Sequence, residues 1–230
     1  MAIGIIGAMH PEIATLHSEM IDAEETVISN YKYFSGKING KNVVLLESGI
    51  GKVSSAVGAA LMISNFEIEC MINTGCAGGL LENLEIGDIV VSDKAFQHDV
   101  DATIMGYDAG QIPGLPVYFE ADKKLSDLCF EVIKENFEQT VVKGSIGTGD
   151  AFIGDDSVSM KLKEKFPSIA AVEMEGGAIA QCCYLMKVPF VIIRSLSDIA
   201  GSASKVDYRE FMPKAAKISA QMVEKILLKL

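Results

Sequence analysis

The sequence predicts an α/β fold built around a mostly parallel sheet, and three features of the chain support this prediction. Short apolar runs rich in Val and Ile alternate with segments of helical periodicity from one end to the other. The runs are apolar at consecutive positions, as expected for strands that helices cover on both faces. No linker-like tract rich in Pro, Ser or Gly divides the 230 residues, so we expect one domain over residues 1–230.

The strands are predicted from the apolar runs and the helices from apolar residues three or four positions apart, such as Ile13, Leu16 and Met20. The predicted strands are Ile3–Gly7, Lys32–Gly36, Val43–Glu47, Cys70–Gly75, Asp88–Ser92, Val141–Gly147, Ala170–Glu173 and Pro189–Leu196. The predicted helices are Pro11–Met20, Val53–Asn65, Leu125–Phe137, Ser157–Phe166, Gly176–Met186 and Asp207–Leu228. The irregular stretch Met105–Val117 is predicted to be a surface loop, a lid or a subunit contact.

Composition and charge limit the class of protein. Apolar residues make up 49% of the chain, yet no stretch reaches the roughly 18–20 unbroken apolar residues of a membrane span. The N-terminus lacks the basic start of a signal peptide, so we expect a cytoplasmic protein with no membrane partner. The formal net charge of −11 also argues against nucleic acid as a partner, because nucleic-acid binding requires basic patches.

Neither a metal nor an organic cofactor is expected. The five cysteines and three histidines do not have the spacing of a zinc site, and the cysteines are predicted to be reduced and mostly buried. Gly49–Lys52 is not a phosphate-binding P-loop, because Leu46 stands where its first Gly belongs and Val53 where Ser or Thr would follow. Gly75–Gly79 is not a dinucleotide-binding fingerprint.

Glycines and functional groups recur at the ends of six predicted strands. Ligands of open α/β sheets bind beyond the carboxyl ends of the strands. Any one of these segments could be a simple turn, but six at one edge of a sheet predict a binding site. The segments are Gly7–Glu12, Ser48–Lys52, Asn73–Gly79, Gly149–Ile153, Glu173–Glu175 and Arg194–Asp198.

The carboxylates in these segments indicate acid–base chemistry. Glu12 lies in the first turn of a predicted helix, where the helix dipole favours its anion, although stabilising a helix end is the commoner role. Arg194 and Asp198 could equally form a structural ion pair. With the carboxylates of residues 173–175, they suggest an acid and a base in different environments, as glycosyl cleavage requires. Phe152 either packs in the core or stacks on a nucleobase.

In order and spacing, these segments closely resemble the 5′-methylthioadenosine/S-adenosylhomocysteine nucleosidases of the nucleoside phosphorylase superfamily. The resemblance implies a three-layer α/β/α fold with a mixed, mostly parallel central sheet. It also implies hydrolysis of adenine thionucleosides to adenine and a thioribose, in methionine salvage. It spans essentially the whole chain through Ile3–Glu12, Ser48–Val53, Asn73–Gly79, Gly87–Asp93, Gly106–Tyr107, Gly110–Pro113, Gly149–Ile153, Val172–Glu175, Val188–Phe190 and Arg194–Asp198.

The resemblance also implies a role for each site residue. It implies that Asp198 protonates adenine N7, that Glu12 activates the attacking water, and that Arg194 belongs to that water's hydrogen-bond network. Glu175 would accept hydrogen bonds from the ribose hydroxyls, and Phe152 would stack on adenine. The family is homodimeric, so a homodimer is implied. The other implied substrate contacts are Met9, Ile50, Ala77, Gly78, Ile153, Met174 and Ser197, with Met105 and Pro113 from the second subunit.

Three departures from the family's pattern leave the catalytic groups intact. Cys76 replaces a common Ser, Gly176-Gly177 replaces Ala-Thr, and Met105 replaces Phe. Two other functions remain open: a phosphorylase of the same superfamily, and a nucleoside-binding protein without activity. Glu12 in place of an Arg that would bind phosphate argues against the first, and the acid–base pair argues against the second. Aminodeoxyfutalosine remains open as a further substrate.

Overall fold

The computed structural model describes residues 1–201 and 204–230, and side-chain burial outside residues 202–209. The strands in this part of the chain are β1 (Ala2–Gly7), β2 (Ile21–Ile28), β3 (Tyr31–Ile38), β4 (Lys41–Glu47), β5 (Ile68–Gly79), β6 (Ile89–Gln97), β7 (Phe119–Glu120), β8 (Val141–Thr148), β9 (Ile169–Glu173) and β10 (Phe190–Ile199). The helices are α1 (His10–Glu19), α2 (Lys52–Asn65), α3 (Lys123–Asn136), α4 (Asp156–Lys165), α5 (Gly176–Met186) and α6 (Ser204–Leu227), with a short 3₁₀ helix at Thr103–Met105.

The strands form one mixed sheet. Parallel pairings join β1 to β4 and β5, β10 to β5, and β8 to β6 and β9. Antiparallel pairings join β2, β3 and β4 in sequence, attach β7 to β6, and link β10 to β6 and β5 to β9. Since β5 contacts both β9 and β10, the strands β5, β10, β6, β8 and β9 close into a ring. The predicted α/β class with a mixed sheet is confirmed.

Successive residues of the central strands alternate between two hydrophobic cores. Ile3 and Ile5 of β1 pack with α1, α3 and α6, whereas Ile6 packs with α2 and α5 on the opposite face. In β10, Ile193 belongs to the first core and Ile192 to the second. Because helices cover both faces of these strands, consecutive apolar residues mark them in the sequence, as predicted.

Two strands have no counterpart among the predicted elements. β2 is an edge strand that pairs with β3 alone, and its residues 21–27 are exposed. An exposed edge needs no apolar face, so no alternation of apolar and polar residues marks this strand. β7 consists of Phe119 and Glu120 only, which is too short for any periodicity to be visible.

The strands that reach the candidate site are longer than predicted. β5 continues to Gly79 instead of Gly75, and β10 continues to Ile199 instead of Leu196. Glycine allows this close pairing, because a Cβ at Gly79 would lie 2.7 Å from Cδ1 of Leu196. The predicted end of the fourth strand at Gly75 is therefore wrong, and the glycine-rich segment is part of the sheet.

The apolar residues and the cysteines are mostly in the interior. Across residues 1–201 and 204–230, no helix has the length and apolar character needed to cross a membrane. All five cysteines are free, and Cys70, Cys129, Cys182 and Cys183 are buried. Burial raises the pKa of Cys129 to about 12, so this thiol stays protonated at neutral pH.

Candidate active site

A cleft opens where β1, β5, β9 and β10 end. All six predicted segments contribute to its walls, so the structure brings together residues that are far apart in the chain. The residues lining the cleft are Ala8, Met9, Glu12, Ile50, Cys76, Ala77, Gly78, Phe152, Val172, Glu173, Met174, Glu175, Ser197 and Asp198.

Four predicted site residues lie outside the walls of this cleft. Ile153 lines a smaller adjoining cavity that shares Phe152 with the cleft. Arg194 is 1% exposed and lies in the interior. Met105 and Pro113 lie on an exposed segment of the surface. Their contribution to a neighbouring subunit stays a prediction.

The Glu12 carboxylate is held by three backbone N–H groups, two from the residues just before α1 and one from β5. Its Oε2 accepts hydrogen bonds from the amides of Ala8 at 2.7 Å and Met9 at 3.0 Å, and its Oε1 accepts one from Cys76 at 3.1 Å. Gly75 leaves the necessary room, because a Cβ there would lie 2.6 Å from Oε1. Glu12 is 3% exposed, so these donors and the helix dipole replace water around its charge.

A buried ion pair adjoins the cleft. The Nη2 atom of Arg194 lies 2.5 Å from both Oε2 of Glu173 and Oδ1 of Asn73. Oε2 of Glu173 also accepts the N–H of Gly176 at 2.6 Å, and its Oε1 accepts the hydroxyl of Thr148. The sequence leaves open a structural ion pair between Arg194 and Asp198, but the ion pair that the structure shows for Arg194 is with Glu173.

Glu175 precedes α5 and is held less completely than Glu12. Its Oε1 accepts the backbone N–H of Gly51 at 2.9 Å, and the residue is 7% exposed. Burial, followed by the negative charge of Glu173, raises the pKa of Glu175 to about 7. The Gly51 amide and Arg194 oppose this rise. An additional donor, such as a sugar hydroxyl, would therefore favour the anion of Glu175.

Asp198 lies on β10 and is 2% exposed. The hydroxyl of Ser197 donates a hydrogen bond to its Oδ1 at 2.8 Å. Its Oδ2 would lie 3.2 Å from a Cβ at Gly78, so glycine keeps the neighbouring strand clear of the carboxyl group. Phe152, which is 45% exposed, lines the same cleft. A carboxyl group and an aromatic ring thus share one end of the site.

Four residues that line the cleft are not among the predicted site residues: Ala8, Cys76, Val172 and Glu173. Arg194 signals in the sequence that a buried carboxylate partner exists, but it does not say which carboxylate that is. A guanidinium at the end of an apolar strand needs a buried carboxylate partner, and Glu173 ends another apolar strand. Ala8 and Val172 are small apolar neighbours of functional residues, and nothing in the sequence distinguishes them from core positions.

Three of the four carboxyl groups that line the cleft accept hydrogen bonds from nitrogen donors. Glu12 and Glu175 bind backbone amides, and Glu173 binds both amides and Arg194. In the described ranges, no group of three or more His, Cys, Asp or Glu side chains could hold a metal ion. The arrangement offers anions and proton-transfer groups around a small organic molecule.

Known proteins resemble this chain over its full length. A family model described as the phosphorylase superfamily matches residues 2–228. The 5′-methylthioadenosine/S-adenosylhomocysteine nucleosidase of Geobacillus sp. (strain WCH70) is 45% identical over 99% of this chain and 98% of its own length. The protein of the same name from Haemophilus influenzae (strain PittEE) is 46% identical over 97% of each chain.

Solved structures show the same similarity. The Neisseria meningitidis nucleosidase of this name, in complex with methylthio-immucillin-A, has a TM-score of 0.97 and 39% identity, covering 100% of this chain and 99% of that chain. The Colwellia psychrerythraea 34H nucleosidase, in complex with adenine, has a TM-score of 0.96 and 43% identity, covering 99% of this chain and 94% of that chain.

We expect Glu175→Gln to stabilise the free protein at pH 8 but not at pH 4. The folded-state pKa of about 7 lies above the ordinary 4.5, so ionisation between these values favours unfolding. The stability linked to the protonated carboxyl is present below about 4.5 and is lost as pH rises through about 7. The gain at pH 8 should be on the order of 3 kcal/mol, since one pKa unit corresponds to about 1.4 kcal/mol.

Denaturant unfolding at both pH values measures this difference. Glu164→Gln, at an exposed position of α4, is the control with the same change of charge. An equal effect of Glu175→Gln at both pH values would contradict the raised pKa of Glu175.

Proposed function

We propose that this chain, which belongs to the phosphorylase superfamily and within it to the 5′-methylthioadenosine/S-adenosylhomocysteine nucleosidases, hydrolyses the N-glycosidic bond of those two nucleosides. The products are adenine and the corresponding thioribose. The observation that carries the proposal is the convergence of Glu12, Glu175 and Asp198 on one cleft. These carboxylates supply the base, the anion and the acid that the reaction needs.

Asp198 is the proposed acid. Adenine leaves poorly as an anion and well as a neutral base, so N7 must receive a proton as the glycosidic bond breaks. The buried position of Asp198, its hydrogen bond from Ser197 and its place beside Phe152 in the cleft support this role. Phe152 is proposed to stack on the purine, with the backbone of Ile153 reading its edge.

Glu12 is the proposed base for water. Three amide donors orient its carboxylate at the cleft wall, so a water beside it would be held in one direction. The charge of Arg194 interacts with both Glu12 and Glu175, while its side chain is bonded to Glu173 and Asn73. Its proposed part in the water's hydrogen-bond network is therefore to keep these carboxylates charged and in place.

Glu175 is proposed to bind the ribose hydroxyls and to stabilise the sugar as it becomes positively charged. Cleavage passes through an oxocarbenium-like state, and an anion in a water-poor cleft interacts strongly with such a cation. Hydroxyl donors would also favour the ionised form of Glu175, whose pKa is about 7 in the free protein. The proposed apolar contacts to the sugar and thioalkyl group are Met174, Met9 and Ile50, with Ala77, Gly78 and Ser197 completing the wall.

The charges of the cleft favour water over phosphate as the nucleophile. Among the described residues that line it, four are carboxylates and none is Lys or Arg. A phosphate dianion requires clustered cationic or N–H donors, and the carboxylates of the cleft would repel it. A phosphorylase activity is therefore disfavoured.

We expect adenine release from 5′-methylthioadenosine at the same rate with or without phosphate, and in the presence of a chelator. The sugar product should be free thioribose in every case. Chromatography of the products distinguishes this sugar from its 1-phosphate. Strict dependence on phosphate would support the phosphorylase instead, and loss of activity on chelation would contradict metal-free hydrolysis.

The leaving group can separate the roles of the two catalytic carboxylates. Asp198→Asn keeps the side-chain shape but has no carboxyl proton, so it should lose on the order of 10²–10⁴-fold in kcat with methylthioadenosine. With a thioriboside of p-nitrophenolate, which leaves without protonation, the same variant should keep most of its rate. Glu12→Gln should fail with both substrates because water needs activation in each. If Asp198→Asn lowers kcat equally with both substrates, Asp198 is not the acid.

We propose a homodimer in which Met105 and Pro113 of one subunit complete the cleft of the other. Ile104 and Met105 are 98% and 69% exposed, which is unusual for adjacent large apolar side chains. Ile50, in the cleft wall, is 55% exposed, so one side of the cleft lacks apolar cover. A second copy of the 104–113 segment would supply that cover.

We expect Met105→Asp to weaken the dimer and reduce kcat/KM, because a carboxylate would be buried in an apolar contact. Sedimentation velocity and adenine release at one protein concentration test both effects. Met160→Asp, at a position of α4 that is 63% exposed, is the matched control. A fully active wild-type monomer at the assay concentration would contradict the shared site.

A further inference from the structure

Three side chains outside the cleft join two segments that serve it. The ammonium group of Lys52 lies 2.7 Å from Oδ1 of Asp99. Oδ2 of Asp99 accepts the backbone N–H of Asp150 at 3.1 Å. Oδ1 of Asp150 accepts the backbone N–H of Lys52 at 2.8 Å. These contacts form a closed cycle between the start of α2 and the loop after β8, and none of the three residues lines the cleft.

Two members of this cycle, Lys52 and Asp150, lie one and two residues from groups that serve the site. Gly51, next to Lys52, donates its N–H to Oε1 of Glu175 at 2.9 Å. Phe152 follows Asp150 by two positions. The two segments also touch directly, since a Cβ at Gly51 would lie 3.1 Å from Oδ1 of Asp150. The hydrogen bond from Lys52 to Asp150 thus holds the peptide that follows Gly51.

We propose that Lys52, Asp99 and Asp150 form a clamp that positions the Gly51 amide against Glu175. The clamp thereby fixes the position of the Glu175 carboxylate relative to Phe152. All three are positioning residues, which act through Gly51 and Phe152. The assignment of Glu175 to ribose and Phe152 to adenine rests on the function proposed above. The hydrogen-bonded clamp and its effect on Glu175 do not depend on that function.

The ion pair of the clamp is partly shielded from solvent. The side chains of Lys52 and Asp99 are 19% and 32% exposed, so their ion pair is better shielded than a surface pair. Burial acts to raise the pKa of Asp99, but the hydrogen bonds from Lys52 and Asp150 outweigh it and lower the pKa below its usual 3.8. Burial lowers the pKa of the neighbouring His98, which is therefore neutral at pH 7.

Glu175 reports on the clamp because Gly51 is the backbone donor that opposes its burial. If the Gly51 amide moved away, the pKa of Glu175 would rise further. The other charged groups that act on Glu175 are Glu173 on β9, Arg194 on β10 and Glu12 on α1. None of them belongs to the clamp, so a substitution in the clamp leaves their charges in place.

The first experiment measures the pKa of Glu175 in the full-length free protein by carboxyl ¹³C NMR, with Glu175→Gln to assign the signal. We expect Lys52→Met and Asp99→Asn to raise it by at least roughly half a unit, because a hydrogen bond to a charged group is lost. Lys52→Arg should restore most of the wild-type value. The matched control is Lys143→Met. It breaks a partly exposed ion pair between Lys143 on β8 and Asp127 on α3.

The second experiment measures adenine release from 5′-methylthioadenosine across pH. We expect Lys52→Met and Asp99→Asn to lower kcat/KM by about 10- to 100-fold, the scale of a misplaced catalytic group, and to move the acidic limb of the profile upward. Lys143→Met should stay within about two-fold of wild type, the size of a surface change.

The two readouts keep the clamp separable from the proposed function. A wild-type protein that releases no adenine, but whose Glu175 pKa responds to Lys52→Met, would overturn the function and support the clamp. A Glu175 pKa that is unchanged in both clamp variants, or shifted equally by Lys143→Met, would overturn the clamp. If Lys52→Met fails to fold, the nearly isosteric Asp99→Asn decides the question by the same two criteria.

Discussion

The ion pair between Arg194 and Glu173 is the interaction on which the site depends. Among the described residues, Arg194 is the one buried Lys or Arg, while Glu12, Glu173, Glu175 and Asp198 are all buried carboxyl groups of the cleft. A buried carboxylate without a partner is costly, so Arg194 and a set of backbone amides together make the cluster possible. The ends of β1, β5, β9 and β10 must meet for these donors to reach it.

The cluster of carboxyl groups still carries more negative than positive charge, and burial together with this charge raises the pKa of Glu175. Its pKa of about 7 shows that the free protein holds this anion at a cost. The same imbalance suits a sugar that becomes positively charged during glycosyl cleavage. With the role proposed for Glu175, stability and activity make opposite demands on this carboxylate, a common conflict in active sites.

The ring of strands β5, β10, β6, β8 and β9 explains how so many chain segments reach one cleft. Because β5 pairs with β10 on one side and β9 on the other, the ends of these strands converge instead of lying in a row. Gly75 and Gly78 then leave space for the carboxyl groups of Glu12 and Asp198. Side chains at either position would push a functional group out of place.

The sequence by itself determined the α/β class, the central strands and the six segments of the site, because burial on both faces and glycine at strand ends leave local patterns. The family resemblance added the proposed roles of Glu12, Glu175 and Asp198. The tertiary structure alone decided the exposed edge strand β2, the partner of Arg194 and the link from Lys52 to Asp99. An edge strand buries no face. The partners Arg194 and Glu173 are separated by 21 positions in the chain, and Lys52 and Asp99 by 47 positions. Such contacts are set by how the strands pair in space, and no local pattern records them.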